Sequence, residues 1–312
     1  MVVSLSTEDV VRVASWPLVI DALREGHRRP KADIADSLVG DGDNRMLVRS
    51  AWIAGLAAGV KAATVVPANP VRNLPSVHAQ VMLFDPSDGR LTALVEGGAV
   101  TAWKTAGDSA LGADCLARPD VATLTMIGAG AMAEPLIRAH LSVRPSLERI
   151  VVWNRTREKA EALAARLADT GRTVEFADTI ETAVRAGDVV SCATMAREPI
   201  VQGAWLKAGA HLDLVGAFTP DMREADDAAL MRTRIFVDSL DTTLDHIGEL
   251  KLPLAAGTIR RDDVLGDLHD LVAGRVGREG DETTLFKNGG GAHLDIMVSH
   301  ALVTAASAED HR

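Results

Sequence analysis

The pattern of apolar and polar positions changes character part-way along the chain. Residues 6–29 predict two short helices, with Ser6 and Ser15 placed to cap the N-termini and Pro17 in a first turn, where proline is tolerated. Residues 45–94 predict consecutive strands separated by turn residues: RMLVRSAWI, AGVKAATVV, VHAQVMLFD and LTALVEG. Because no helix intervenes between them, these strands predict a mostly antiparallel sheet.

The second half of the pattern alternates strands with helices. Residues 98–117 are rich in helix formers and predict a connecting helix. The apolar runs that follow are separated by helical segments: VATLTMIG, RIVVWN, TVEFAD, DVVSCAT, AHLDLVGA and TRIFVDS. This alternation predicts a parallel, doubly wound sheet. We therefore predict an α/β protein with a Rossmann domain at 118–289 and an α+β domain at 1–117, completed by the apolar terminal segment 290–312.

The amino-acid composition and net charge exclude some classes of function. Of the 312 residues, 47% are hydrophobic and 24% charged, as in an ordinary soluble globular protein. The net charge of −10 argues against binding nucleic acid through phosphate neutralisation. The sequence does not open with a secretory signal, and its longest weakly charged run is interrupted by a lysine and two prolines. We therefore expect a cytoplasmic protein whose partners include neither a membrane nor a nucleic acid.

The cysteine and tyrosine content of the chain excludes further kinds of site and mechanism. Cys115 and Cys192 are the two cysteines, and neither belongs to a metal-ligand motif, so the sequence predicts no metal site and no disulfide framework. The sequence contains no tyrosine. This excludes every dehydrogenase mechanism in which a tyrosine hydroxyl serves as the general acid.

The stretch IGAGAMAE carries a dinucleotide-binding motif, Gly128-x-Gly130-x-x-Ala133. Alone this pattern is weak, since tight turns produce it often, but here it follows a strand, opens a helix and precedes a second strand. Gly128 permits the tight turn, and Gly130 lets the pyrophosphate approach the backbone. The small Ala133 lets helix and strand pack closely, with the helix N-terminus directed at the phosphates.

The end of the next predicted strand bears on which dinucleotide is bound. An acid there would accept hydrogen bonds from the ribose hydroxyls and repel a 2′-phosphate. This chain has Asn154 instead, followed by Arg155, Thr156 and Arg157, whose guanidinium and hydroxyl groups suit a phosphate. The alternative is a solvated helix N-terminus with incidental arginines. We predict NADP(H) as the preferred cofactor, with NAD(H) also possible.

Lys61 is the one charged residue between Arg49 and Arg72, in a strand that is otherwise apolar or small. A lysine there is costly unless it points into a polar cleft or pairs with an anion. Lys61 is therefore either a functional residue or an edge residue whose ammonium reaches solvent. The pattern alone leaves both alternatives open.

Six segments, in order from about residue 40 to 300, carry a resemblance to a known family: NRMLVRSAW, GVKAATVVPANPVRNLPSVHAQVMLFDPSDGRLTALVEGGAVTAWKTAGDSA, IGAGAMAE, GDVVSCATMAREPIV, LVGAFTPDMREAD and TTLFKNGGGAHLD. Together they resemble the ornithine cyclodeaminase/mu-crystallin family. The resemblance implies a substrate and dimerisation domain, made from the N-terminal sheet and the terminal helix, with an inserted Rossmann domain. It also implies a homodimer formed through the N-terminal sheet.

The resemblance further implies roles for individual residues. Arg45 and Lys61 would hold the substrate carboxylate together with Lys104, which stands where the family has an arginine. Lys104 keeps the charge but loses the bidentate guanidinium. These three are the predicted catalytic residues, and Lys61 is the candidate proton shuttle. The family's motifs predict the following cofactor contacts besides the glycine loop and the phosphate-binding stretch: Ser76, Ala131, Met132, Thr194, Val215, Gly216 and Asn288.

One departure from the family bears on the reaction. Cyclodeaminases carry an acid after the strand that ends in VGG, and the matching position here is Phe218, a predicted substrate contact that can neither carry charge nor move a proton. We therefore predict an NAD(P)H-dependent reductase of a cyclic imino acid of the Δ1-pyrroline-2-carboxylate or ketimine type. One alternative is an ornithine cyclodeaminase with bound NAD+. A second alternative is an alanine-type dehydrogenase or a crystallin-like binding protein.

Overall fold

The computed structural model describes residues 2–309, which divide into two compact units. Unit 1 comprises residues 2–107 and 291–309, and unit 2 comprises residues 108–290. The terminal segment of the chain thus lies in the same unit as the N-terminal segment. Within residues 2–309, no helix is both long and apolar enough to cross a membrane.

The elements follow one another in chain order. The first part of the chain forms β1 (Val3–Leu5), α1 (Thr7–Val13), α2 (Trp16–His27), β2 (Asp33–Asp41), β3 (Asn44–Ile53), β4 (Ala57–Val65), β5 (Val77–Phe84), β6 (Leu91–Glu96) and α3 (Gly97–Leu116). The second part forms β7 (Thr123–Ile127), α4 (Ala133–Val143), β8 (Arg149–Trp153), α5 (Arg157–Arg166), β9 (Thr173–Phe176), α6 (Ile180–Ala186), β10 (Val189–Cys192), β11 (His211–Leu214), α7 (Asp227–Met231), β12 (Arg234–Val237), α8 (Leu240–Thr243), α9 (Gly248–Ala256), α10 (Leu268–Val272), β13 (Thr284–Lys287) and α11 (Ala292–Glu309).

The boundary between the units lies inside α3, after residue 107 rather than at the predicted residue 117. The second half of this helix packs within unit 2. There the Ser109 hydroxyl donates a hydrogen bond to Asp213, and Gly112 lies so close to the ring of Phe286 that a Cβ would approach it to 2.7 Å. The sequence of a helix indicates where the helix begins and ends, but it does not indicate which unit each turn packs within.

The sheet of unit 1 has the strand order β1–β6–β5–β4–β3–β2. Strand β1 runs parallel to β6 and the other neighbours are antiparallel, which confirms the predicted mostly antiparallel sheet. Helix α11 packs across one face of this sheet. The approach is close, because a Cβ added to Gly59 of β4 would lie 2.2 Å from the Cδ1 of Ile296.

The strands of unit 2 are parallel throughout, in the order β12–β13–β11–β10–β7–β8–β9. This confirms the predicted doubly wound sheet. The strand order reverses between β7 and β10, and ligands of such sheets bind at that point, outside the carboxyl ends of the strands. The predicted dinucleotide loop follows β7 and therefore lies at the reversal.

The helix caps predicted in the first segment are present, whereas some strands were not predicted. Ser6 accepts a hydrogen bond from the Asp9 N–H and Ser15 from the Leu18 N–H. Strands β1, β2 and β13 went unrecognised because β1 and β13 are short and β2 is exposed at nearly every position, so burial imposes no apolar pattern on it.

Candidate functional site

Lys61 lies in the middle of β4, a strand flanked by β3 and β5, and is 8% exposed. Its ammonium donates a hydrogen bond to Asp295 Oδ1 at 2.8 Å and a second one to the hydroxyl of Thr101. Lys61 is therefore an interior, paired residue of the sheet. Of the two alternatives that the pattern left open, the structure places it in a polar cluster rather than at an edge.

Lys104 completes this cluster from α3. Its Nζ lies 3.7 Å from Asp295 Oδ2, so Lys61 and Lys104 share one fully buried carboxylate. Burial raises the pKa of Asp295, but the neighbouring Lys104 and Lys61 outweigh it and leave the pKa below its ordinary value. Two ammonium groups and one carboxylate leave the cluster with a net positive charge, which suits a single carboxylate ligand.

Asp295 was not predicted as a site residue. Its signal in the sequence is an acid two positions after a histidine in the otherwise apolar helix that follows GGGA. An unpaired carboxylate at such a position would be costly to bury, so a cationic partner had to exist. The partners come from β4 and α3, more than 190 positions away along the chain, and the sequence alone does not identify them.

The structure does not bring Arg45 to the lysine cluster. Arg45 is exposed at the β2–β3 hairpin, where its guanidinium donates to the carbonyls of Gly42 and Asn44. It faces Val65 across the β3–β4 pair, four positions beyond Lys61. Four residues of an antiparallel strand span about 14 Å, which separates the backbone of Arg45 from that of the cluster.

The residue directly opposite Lys61 is Arg49. Residues that face each other in an antiparallel pair project from the same side of the sheet, so Arg49 and Lys61 point toward the same layer. The Arg49 side chain is 19% exposed, and its Nε and Nη2 lie 3.0 and 2.8 Å from Asp36 Oδ2. Arg49, rather than Arg45, is therefore the arginine that the structure places beside the cluster.

The glycine loop of unit 2 has the geometry that a dinucleotide requires. Gly128 has φ 102°, a conformation that favours glycine, and a Cβ there would lie 2.6 Å from the carbonyl oxygen of Ala193. At Gly130 a Cβ would meet nothing within 4 Å, so the loop leaves open space at the start of α4. Ala133 is buried at the first position of that helix, Ala131 is exposed and Met132 is half-buried. The loop thus fits a pyrophosphate at the N-terminus of α4.

The stretch after β8 lies beside this loop. The Asn154 side chain accepts a hydrogen bond from the Ala129 N–H at 3.1 Å and donates one to the carbonyl of Thr156 at 2.7 Å, so it joins the two turns. Arg157 is paired with Glu161 and Asp178. The residues near this stretch line a cavity of about 260 Å³ and include Trp153, Asn154, Arg155, Arg157, Phe176 and Asp178.

The two arginines of this stretch differ in what they already bind. The Arg157 guanidinium has carboxylate partners, whereas no hydrogen bond or ion pair within residues 2–309 involves that of Arg155. An arginine without a protein partner can meet an incoming phosphate without first breaking an ion pair. Arg155 is consequently the better-placed cation for a 2′-phosphate.

The remaining predicted cofactor contacts of unit 2 lie at the carboxyl ends of neighbouring strands. Thr194 follows β10, Val215 and Gly216 follow β11, and Asn288 follows β13. Asn288 is buried, and its side-chain amide donates to the hydroxyl of Ser109 at 3.0 Å. Ser76 belongs to unit 1, where it is half-buried and precedes β5.

Phe218 and the two acids that follow it have distinct surroundings. The Phe218 side chain is 59% exposed, so it is available to a ligand. Asp221 is paired with Arg197 and accepts a hydrogen bond from the hydroxyl of Thr219. Glu224 is fully buried beneath the loops after β10 and β11. Both acids are already engaged by protein donors.

The chain belongs to the ornithine cyclodeaminase/mu-crystallin family, whose sequence model matches residues 23–309. The Δ1-pyrroline-2-carboxylate reductase of Paracoccus denitrificans is 48% identical over 297 residues, which cover 95% of this chain and 94% of that relative. The family resemblance drawn from the motifs is thereby confirmed.

Solved structures show the same fold over the whole chain. The Δ1-pyrroline-2-carboxylate reductase of Thermococcus litoralis, in complex with NADH and L-proline, has a TM-score of 0.92 at 29% identity, covering 99% of this chain and 98% of that one. An archaeal alanine dehydrogenase dimer with bound NAD also has a TM-score of 0.92, at 26% identity, covering 99% of this chain and 97% of that one.

Proposed function

We propose that this protein is an NAD(P)H-dependent reductase of a cyclic imino acid of the Δ1-pyrroline-2-carboxylate type. The observation that carries the proposal is the buried cluster of Lys61, Asp295 and Lys104, because its net positive charge suits a substrate with one carboxylate. The dinucleotide loop supplies the second requirement of the reaction. The pyrroline-carboxylate reductases of P. denitrificans and T. litoralis support this substrate class.

The protein's own residues bind, orient and protonate the substrate. When bound, the reduced dinucleotide supplies hydride to the imine carbon next to the carboxylate. Lys104 and Arg49 bind the carboxylate and fix the orientation of the ring. Lys61, held by Thr101 and Asp295, is the proton donor to the imine nitrogen. The product is the corresponding cyclic amino acid.

We assign the cofactor preference to Arg155. Asn154 carries no charge that would repel a 2′-phosphate, and Arg155 lines the cavity after β8 with its guanidinium unpaired by any described residue. These features favour NADP(H) over NAD(H) in this chain. NAD(H) remains the alternative, since NADH is bound in the T. litoralis relative.

Ornithine cyclodeamination is the second candidate, and the loop after β11 disfavours it. An acid that engages the leaving amine would have to come from this loop, where the side chain at the family position is Phe218. Asp221 is paired with Arg197, and both oxygens of Glu224 accept hydrogen bonds from protein groups. Alanine-type dehydrogenation and simple ligand binding are compatible with the same cluster and rest on the similarity to the archaeal alanine dehydrogenase.

We also propose a homodimer formed through the sheet of unit 1. The sheet face opposite α11 exposes Val39, Met46 and Trp52, and a cavity of about 470 Å³ lies along it. Monomeric soluble proteins rarely leave contiguous apolar surface open to water. The archaeal alanine dehydrogenase with the same fold is a dimer. Sedimentation velocity would show a species of twice the chain mass.

The proposed reaction is tested by following nicotinamide absorbance with Δ1-pyrroline-2-carboxylate, and separately by following proline formation from ornithine with NAD+. We expect NADPH to be oxidised with the imine and no proline to form from ornithine. If ornithine yields proline and the imine leaves NADPH unchanged, the cyclodeaminase alternative is correct. If neither reaction occurs while NADPH still binds, oxidation of NADPH with pyruvate and ammonia distinguishes an alanine-type dehydrogenase from a binding protein.

A further inference from the structure

Glu224 is a fully buried carboxylate that joins the loops following two neighbouring strands of unit 2. Its Oε1 accepts hydrogen bonds from the Thr194 N–H at 2.7 Å and from the Thr194 hydroxyl at 2.8 Å, in the loop after β10. Its Oε2 accepts a hydrogen bond from the Gly216 N–H at 2.6 Å, in the loop after β11. One side chain therefore links two residues that the family motifs mark as cofactor contacts.

The two loops that Glu224 links also pack closely against each other. A Cβ on Gly216 would lie 2.1 Å from the Thr194 carbonyl oxygen and 2.5 Å from Glu224 Oε1, so only glycine fits. The carbonyl of Ala193, next to Thr194, also lies against Gly128 in the dinucleotide loop. The loop after β10 thus contacts both the loop after β7 and the loop after β11 at the carboxyl edge of the sheet.

Neighbouring buried groups offset part of the free-energy cost of burying the Glu224 carboxylate. Burial holds the pKa of Glu224 above its ordinary value, although the Lys287 charge and hydrogen bonds from Cys192 and Thr194 act in the opposite direction. The Cys192 thiol donates to Oε1 at 3.1 Å. The buried Lys287 ammonium donates to the carbonyls of Leu214 and Asn288, at 3.0 and 2.7 Å, so it ties the ends of β11 and β13 together.

We propose that Glu224 is a positioning residue that holds the loops after β10 and β11 in their dinucleotide-binding arrangement before the cofactor arrives. The inference rests on the proposed function only in that the ligand of these loops is a nicotinamide dinucleotide. Loops that are ordered in the free protein lose little conformational entropy on binding, so the carboxylate contributes to affinity without touching the ligand.

The first test uses the wild-type protein without cofactor and measures amide hydrogen exchange. The Thr194 and Gly216 amides should exchange slowly, at rates typical of the sheet, because Glu224 accepts both N–H groups. Exchange of both amides as fast as that of exposed loop amides would overturn the proposal. This measurement does not depend on any variant being able to fold.

The second test measures equilibrium binding of NADPH and NADH to Glu224→Gln by fluorescence titration. A glutamine can accept through one oxygen only, so its amide group would face one of the loop N–H groups. We expect both dissociation constants to rise at least about tenfold, the equivalent of losing one charge-assisted hydrogen bond. Unchanged dissociation constants in a folded variant would overturn the proposal.

Asp226→Asn is the matched control. The Asp226 carboxylate also accepts hydrogen bonds from two backbone N–H groups, those of Gly203 and Ala229, but it bonds neither Thr194 nor Gly216. Its dissociation constants should stay within about threefold of wild type. Because the titration contains no imine, the measured dissociation constants do not depend on whether the proposed substrate is correct. Equal weakening in both variants would show a general loss of structure and contradict the positioning role.

Discussion

At the scale of single residues, the cluster in unit 1 depends on one buried carboxylate. Asp295 holds Lys61 at hydrogen-bond distance and lies near Lys104, and each partner offsets part of the cost of burying the others. The mutual compensation keeps two like charges close together without a bound ligand. In the proposed reaction, a substrate carboxylate would enter a site whose cations are already in place, which is what pre-organised binding requires.

The assignment of Arg49 gives a prediction about paired alanine variants. Arg49→Ala should raise the KM for the imino acid about 10- to 100-fold, since a guanidinium–carboxylate hydrogen bond is worth about 1.5–3 kcal/mol. Arg45→Ala should leave KM within about twofold, because four strand residues, about 14 Å, separate its backbone from that of the cluster. Steady-state kinetics at saturating NADPH provides the measurement.

The cofactor serves as the internal control for this pair of variants. The NADPH dissociation constant should be the same in both, because Arg45 and Arg49 belong to unit 1 and the dinucleotide loop to unit 2. A larger effect of Arg45→Ala on KM than of Arg49→Ala would return the carboxylate-binding role to Arg45.

Single residues also show where sequence reasoning reached its limit. Lys61 stood out because a lone charge in an apolar strand demands a partner, and the structure supplies one in Asp295. Which arginine lies beside the cluster depends on the register of the paired strands, and a family motif does not specify that register. The hydrogen bonds of Glu224 to two loops could not be predicted, because they follow from tertiary packing alone.

At the scale of elements, the turn after β8 sets the predicted cofactor preference. Arg155→Ala should weaken NADPH binding about 10- to 100-fold while NADH binding stays within about threefold, because only NADPH carries the 2′-phosphate. Arg157→Ala should have a smaller effect, since Arg157 is already paired with Glu161 and Asp178. Fluorescence titration of each variant with both cofactors makes the comparison.

Two results of the Arg155→Ala titration would contradict this prediction. If Arg155→Ala weakens NADPH and NADH by the same factor, the side chain contacts a part that both cofactors share. If neither affinity changes, the turn is a solvated helix N-terminus and the predicted preference for NADP(H) is wrong.

Glu249 in helix α9 makes the stability of the folded protein depend on pH. This side chain accepts the N–H groups of Glu224 and Ala225, at 2.7 and 3.0 Å, and so fastens the segment after β11 to the helix. Burial, and then the neighbouring charge of Glu224, raise the pKa of Glu249 from 4.5 to about 7. Between these two values the folded protein keeps a proton that the unfolded chain has released.

Stability should therefore fall as the pH rises through this window and level off above about pH 7. Between pH 5 and pH 8, the wild type should lose about 2 to 3 kcal/mol more unfolding free energy than Glu249→Gln, which cannot titrate there. Urea unfolding of both proteins at the two pH values gives the difference. Parallel pH profiles for wild type and variant would show that Glu249 does not titrate in this range.

The elements themselves were predictable to the extent that burial imposes a period on them. Most strands of unit 2 are buried, and their alternation with helices predicted the doubly wound sheet. Strand β2 is held by its pairing with β3 and is exposed along its length, so its sequence carries little pattern. The four residues of β13 return to the sheet between β11 and β12, an insertion that only the topology reveals.

At the scale of the whole molecule, the division into two units separates the two tasks of the proposed reaction. Unit 1 carries the cationic cluster for the carboxylate, and unit 2 carries the dinucleotide loop. The fold class and the family were predictable because glycine motifs and strand–helix alternation are local signals. The ring and side chain of the substrate were not, because pocket walls are formed by loops and by residues distant in sequence.

The most direct test of the reductase assignment is isotope transfer. The protein is incubated with Δ1-pyrroline-2-carboxylate and NADPH deuterated at both C4 positions of the nicotinamide, and the product is analysed by mass spectrometry and NMR. We expect proline carrying one deuterium at Cα, formed in equal amount to the NADPH oxidised. Proline without deuterium at Cα, or no proline at all while NADPH is bound, would contradict it.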